Sequence, residues 1–198
     1  MAIGNIIQRA IGVVPATLLC LSVPACSTGQ TPMSDADVAR LVPVGASLVK
    51  GDYGDADGDG NADILIVVER GAGDGSNARG ILIFRRESNG SISAAVDSPA
   101  AIPCRNCGGM MGDPLQSVSM DGGSVSLRLE GGSRELWSSD YRFDYVPALK
   151  QWVLVGIVHS GLDRTTGQST ERRLGRDELG HVPLEIFDPA DYPADALP

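Results

Sequence analysis

Between Asp55 and Asp63 the chain reads Asp-Ala-Asp-Gly-Asp-Gly-Asn-Ala-Asp. An oxygen cage for calcium needs ligands at alternate positions of a winding loop and a glycine at its sixth position for the sharp turn. Here Asp55, Asp57, Asp59 and Asp63 supply carboxylates at the first, third, fifth and ninth positions, Gly60 stands at the sixth, and Asn61 offers its main-chain carbonyl at the seventh. Carboxylates this close repel one another unless a divalent cation neutralises them, so calcium is the expected cofactor. The other reading is an acidic, solvated, glycine-rich turn. Against it stand the glycine at the sixth position and the apolar run that follows the ninth residue directly.

That run, Ile64-Leu65-Ile66-Val67-Val68, decides what kind of site this is. A helix–loop–helix calcium site carries a bidentate Glu at its twelfth position, where this chain has Ile66. The run is short, apolar and rich in β-branched residues, so the loop leads into a strand. In this it resembles the single FG-GAP or VCBS-type calcium loop of β-propeller and β-sandwich proteins, in which Asp-x-Asp-x-Asp-Gly-x-x-Asp precedes a buried strand.

Cys104-Arg105-Asn106-Cys107-Gly108-Gly109 is the second stretch with chemistry. In an exported protein, Cys104 and Cys107 read most simply as a local disulfide that pins a loop. A zinc site would need two more ligands, and His159 and His181 are the chain's two histidines. A redox pair would need a helix start to lower the first thiol's pKa, which Gly108 and Gly109 oppose. The chain contains no Gly-x-Ser-x-Gly elbow, His-Glu-x-x-His or phosphate-binding loop, so it is expected not to be an enzyme. His159 precedes an expected Ser160-Gly161 turn at a strand end, and His181 sits in a polar loop; both read as partly exposed. Asp140, Tyr141, Asp144 and Tyr145 lie along one strand, either as a solvated face or as an acidic aromatic rim that meets a basic partner.

The elements that must position these groups are short strands. The chain has 198 residues, enough for one domain with a real core, and its 25 Gly and 12 Pro with little helical periodicity point to many turns. Gly80–Phe84 follows the calcium strand, and Asn89-Gly90 joins it to Ser91–Ala95. Asp121-Gly122-Gly123 joins Ser117–Met120 to Ser124–Leu129, whose alternation puts one face in a core. Leu136–Val146 and Gln151–Val158 form a third hairpin across Pro147–Lys150, with Trp152–Val155 as its buried strand. The fold expected is all-β: an antiparallel meander forming a propeller-like or sandwich-like sheet domain with long loops, over residues 38–198. Ser34–Leu41 is expected to form one short helix before Pro43.

Residues 1–25 have the anatomy of an export signal: one charge, Arg9, then a short apolar stretch and a small residue before the cut. Leu21-Ser22-Val23-Pro24-Ala25-Cys26 resembles the lipobox of bacterial lipoproteins, which implies lipid modification of Cys26 and stable anchoring. Pro24 leaves open ordinary cleavage after Ala25. By the same resemblance, Ser27 after the cysteine implies the periplasmic side of the outer membrane. Residues 26–37 read as a polar, flexible tether. The net charge of −9 makes nucleic acid an unsuitable partner and suits a basic protein.

Taken together, the lipobox, the acidic loop, Cys104 to Pro114, the Trp152 strand and Phe187-Asp188-Pro189 resemble a group of bacterial envelope lipoproteins. Within that group some members resemble periplasmic lysozyme inhibitors and others immunity lipoproteins against peptidoglycan hydrolases. The resemblance implies occlusion of a hydrolase cleft by a loop written Ser-Gly-x-x-Tyr. This chain has Ser160-Gly161-Leu162-Asp163 and then Arg164 in place of Tyr. Ser160, Gly161 and Arg164, with Asp140 and Asp144, are therefore the expected partner-binding residues. The alternative is a structural or sensory envelope module that binds without inhibiting.

Acylation at Cys26 is directly testable in cells. Labelled fatty acid is expected in the mature protein and absent from Cys26→Ser; an unlabelled, soluble wild-type product would show plain cleavage instead.

Overall fold

The computed structural model describes residues 35–71, 76–77 and 79–193. The expected export segment, the lipobox-like stretch with Cys26 and most of the expected tether lie outside the described residues. Among those described, no helix is long and apolar enough to cross a membrane.

Two antiparallel sheets carry the fold. The first contains β1 (Ala46–Gly54), β2 (Asp63–Arg70), β3 (Arg79–Arg86) and β4 (Ile92–Ile102), and the second β5 (Leu115–Asp121), β6 (Ser124–Gly132), β7 (Glu135–Val146), β8 (Gln151–Asp163) and β9 (Ser169–Gly175). Each strand pairs with its neighbour in sequence, so both sheets are plain meanders. Of the two expected arrangements, the sandwich is the one formed: both sheets are open, and their inner faces share one core. Leu65, Val67, Ile81 and Ile83 from the first sheet pack into it with Leu127, Phe143, Trp152 and Leu154 from the second.

The apolar run of β2 is explained by burial on both faces. Leu65 and Val67 point inward, while Ile64, Ile66 and Val68 form a second cluster with Leu82 and Val38 of helix α1 (Asp35–Leu41). Strands that alternate polar and apolar residues have one solvated face; covering that face with a helix allows an unbroken apolar stretch. The expected hairpins at Asn89-Gly90, Asp121–Gly123 and Pro147–Lys150 all form. β1 and β9 were not legible, because β1 mixes Lys, Gly, Asp and Tyr, and β9 is a mostly exposed edge with three charged residues.

β8 corrects one expectation. It continues through Asp163, so Ser160 and Gly161 are strand residues paired with Ser138 and Trp137 on one side and Glu171 and Thr170 on the other. The turn comes later, where Asp163 accepts the N–H groups of Thr165 and Thr166 and the guanidinium of Arg134. His159 is likewise buried rather than partly exposed.

Cys104 to Pro114 is the crossover between the sheets. Cys104 and Cys107 are disulfide-bonded, with Cα atoms 5.1 Å apart. Gly108 is required there, since a Cβ on it would come 2.4 Å from the Gly112 carbonyl oxygen. The segment is held from below by Arg79, which is fully buried, makes a two-pronged bond to Asp113 at 2.8 and 2.6 Å, and donates to the Pro103 carbonyl. Burial disfavours the charged Asp113, but the Arg79 bond, the Leu115 N–H and neighbouring arginines outweigh it and hold the carboxyl below its usual range. Arg105, between the two cysteines, reaches back to the buried Glu69 at 2.7 Å.

The Arg79–Asp113 pair is asymmetric, because Asp113 is partly exposed and Arg79 is not. Asp113→Ala strands a buried guanidinium and is expected to cost about 3–5 kcal/mol. Arg79→Met leaves a carboxylate that water can reach, and is expected to cost less. Urea unfolding of the two variants checks the order.

Candidate metal centre

The acidic loop is the hairpin loop between β1 and β2. Gly54 pairs with Asp63 across its base, so residues 55–62 are the turn itself. Gly58 and Gly60 take positive φ, 81° and 84°, where a side chain would be strained. Asp55 organises the coil: one carboxylate oxygen accepts from the N–H of Gly58 at 2.7 Å and of Asp59 at 3.1 Å, and the other from Gly60 at 3.0 Å. Asp57 accepts from Asp59 N–H, and Asp59 from Asn61 N–H at 2.7 Å.

Asp63 closes the loop from inside the protein. It is fully buried and accepts from Ala56 N–H at 3.0 Å and Arg86 N–H at 2.8 Å. Ala56 is the point at which the loop enters the core: its carbonyl takes the indole N–H of Trp152 at 2.6 Å, across both sheets. The neighbouring Asp55 carbonyl accepts from Gly123 N–H in the β5–β6 turn. A loop that looks like exposed turn in the sequence is thus bolted to the second sheet at two consecutive residues.

Of the five expected ligands, Asp55, Asp57 and Asp63 present carboxylate oxygens all within 4.8 Å of one another. Asp59 stands outside this trio on the exposed rim, and Asn61 lies in the turn beside it. Three convergent carboxylates in an all-oxygen setting can hold a hard divalent cation. The residues fit such an ion: the backbone is already wound, and the Asp57 side chain is only 1% exposed, so its charge needs a counter-charge close by. Arg85 of β3 provides one, pairing with Asp57, lying 3.9 Å from Asp59 and sitting over the Tyr145 ring at 5.8 Å.

Sequence reading misses Arg85 and Trp152 as parts of this site. Arg85 follows the apolar run of β3, and only the register of β2 on β3, Ile64 opposite Phe84, carries it to the loop. That register is set by tertiary packing and has no local signal.

The expected partner-binding residues lie apart from the loop. Asp140 and Asp144 point out from β7, while Tyr141 turns into the core and Tyr145 packs on Trp152. The strand's aromatic residues therefore do not join its acids in a rim. Asp140 pairs with Arg128 at 2.7 Å, and Asp144 with Arg142 at 2.9 Å and Arg176 at 3.3 Å. Ser160 and Gly161 line a shallow groove of about 210 Å³ with Arg128 and the exposed Met111 and Leu162. Arg164 sits in the exposed β8–β9 turn.

A larger cleft, about 430 Å³, opens between the crossover and the C-terminal segment. Its walls include Trp137, Tyr141, Tyr192 and the Cys104–Cys107 bridge, with Ser139 and Asp188 among its polar residues. The Ser139 hydroxyl lies 2.8 Å from His159 Nδ1 in the interior, and it also bonds Tyr141. Burial pushes the Tyr141 hydroxyl up to about 12, against the Ser139 bond, so it stays protonated.

No protein-family model, curated protein or solved structure matches this chain, so the site is read from its own geometry.

The trio generates a pH test. Burial raises the Asp63 carboxyl; the Arg86 and Ala56 N–H groups oppose this, and the charges of Asp57 and Asp59 reinforce it, from an ordinary 3.8 to about 6. The unfolded chain gives up this proton near 3.8, so the ionised form weakens the fold. That contribution is absent below 3.8 and develops as pH rises through about 6. In calcium-stripped protein, carbonyl NMR is expected to place the Asp63 transition near 6; added calcium is expected to lower it and to raise Tm, and Asp57→Asn to suppress both responses.

Proposed function

We propose that this chain is a calcium-binding, lipid-anchored envelope protein that works by binding, and that its target is a peptidoglycan hydrolase whose cleft it occludes in the manner of an immunity protein. The observation that carries the first part is the convergence of Asp55, Asp57 and Asp63 in a loop locked to the core through Ala56 and Trp152. Calcium is the hard cation suited to a glycine-turned coil of carboxylates, and binding to the folded state alone stabilises it by mass action. The ion is structural in this reading: it sets the end of the sandwich and takes no part in bond making.

The partner reading rests on the outer face of the second sheet. Ser160 and Gly161 form a groove floor there beside an ion pair and exposed Met111 and Leu162, an amphipathic strip of the kind that protein partners cover. An acidic chain favours encounter with a basic enzyme. One observation favours the second reading, a binding module that inhibits nothing: Asp140 and Asp144 are already paired with Arg128 and Arg142 of the same sheet and with Arg176 just beyond it, which leaves less free charge to steer a partner.

The two readings separate in one experiment. If the chain is an inhibitor, a purified basic muramidase is expected to lose activity on adding it, with an association rate that falls as salt rises. Ser160→Arg, which projects from the outer face into the groove, is expected to speed dissociation. A chain that retains peptidoglycan while leaving the hydrolase fully active would support the non-inhibitory module.

A further inference from the structure

We propose that the cleft beside the disulfide is a binding site for a small organic cation, an ammonium or guanidinium carried on an apolar body. This is independent of the calcium loop and of the hydrolase reading. At about 430 Å³ the cleft falls within the range of small-molecule sites. Its walls are mainly apolar: Leu129, prolines, alanines and the disulfide surround the three aromatic residues Trp137, Tyr141 and Tyr192.

Charge selects the ligand class. Among the described residues that line the cleft, Asp188 is the one that carries a charge, and none is a lysine, arginine or histidine. An anion would therefore meet a carboxylate and aromatic walls with no positive charge among the described lining residues to neutralise it. A cation gains from both, since aromatic faces attract positive charge and do so more strongly when water is excluded. The nearest basic residue in sequence, Arg105 between the two cysteines, is turned away to the buried Glu69. Asp188, a lining residue, is also held in place: one of its oxygens accepts the Ala190 N–H at 2.8 Å at the start of a 3-10 turn. Phe187, fully packed against Tyr141 and Phe143, anchors the aspartate that follows it. Tyr192 is stacked on the same Phe187, so the aromatic wall and the carboxylate come from one rigid unit.

The probe is benzyltrimethylammonium, with benzyl alcohol and phenylacetate as neutral and anionic counterparts, titrated into the full chain and followed by the two tryptophan indole N–H signals. The Trp137 signal is expected to move and that of Trp152, bonded to Ala56, to stay. Benzyltrimethylammonium is expected to bind at least tenfold more tightly than benzyl alcohol, and phenylacetate not to bind. Asp188→Asn keeps the turn cap, because Asn caps as well as Asp. It is expected to reduce the cation's affinity about tenfold and leave benzyl alcohol unchanged. Equal affinity for all three probes, preference for phenylacetate, a response confined to Trp152, or an Asp188→Asn variant that binds the cation as the wild type does would each overturn the proposal.

Discussion

The hydrogen bond from the Trp152 indole to the Ala56 carbonyl is the contact on which the arrangement of the acidic loop depends. Both residues are fully buried, so neither group has water as an alternative partner, and an unmade bond there would carry the full cost of desolvation. The bond ties the second residue of a hairpin loop in one sheet to β8, an interior strand of the other. Asp63 holds the same residue from the opposite side through its N–H. With Ala56 fixed at both backbone groups, Asp55 and Asp57 on either side are aimed by the chain itself. The convergence of carboxylates is thus a by-product of sheet packing as much as of loop sequence.

The carboxylates of the loop answer to opposed demands. Asp63 is buried deeply enough that burial outweighs its two hydrogen bonds, while Asp57 is sealed against Arg85. A guanidinium is a delocalised cation that tolerates low hydration, so it can sit under such a cluster where an ammonium would be less at ease. Tyr145 completes its surroundings with a ring face. The loop and its counter-charge therefore belong to different hairpins, and each needs the other's register to be correct.

Much of this was legible in the sequence, and the parts that were not share a cause. The acidic loop, the apolar strand after it, the Asn89-Gly90 turn, the Cys104–Cys107 bridge and helix α1 all announce themselves within a few residues. Local signals fail where a residue's role is set by a distant strand. Ser160 and Gly161 look like a turn, but pairing on both sides keeps β8 extended to Asp163. Tyr141 and Asp140 look like one polar face, yet the pleat sends them to opposite sides of the sheet. Arg79 carries no local mark of a buried ion pair, because its partner lies 34 residues away. The expectations of export and lipidation rest on the first residues alone, outside the described part of the chain.

The single crossover at Cys104 to Pro114 has a consequence for how the molecule assembles. Every strand pairs with its sequence neighbour, so each sheet closes only short loops and demands little chain entropy before its contacts form. The long-range step is the packing of the two halves on their shared core, across a hinge shaped by the disulfide and gripped by Arg79. Such a chain divides naturally into two cooperative units, one on either side of the hinge. The loop around Ala56 draws contacts from both, so it becomes complete only when the halves have met.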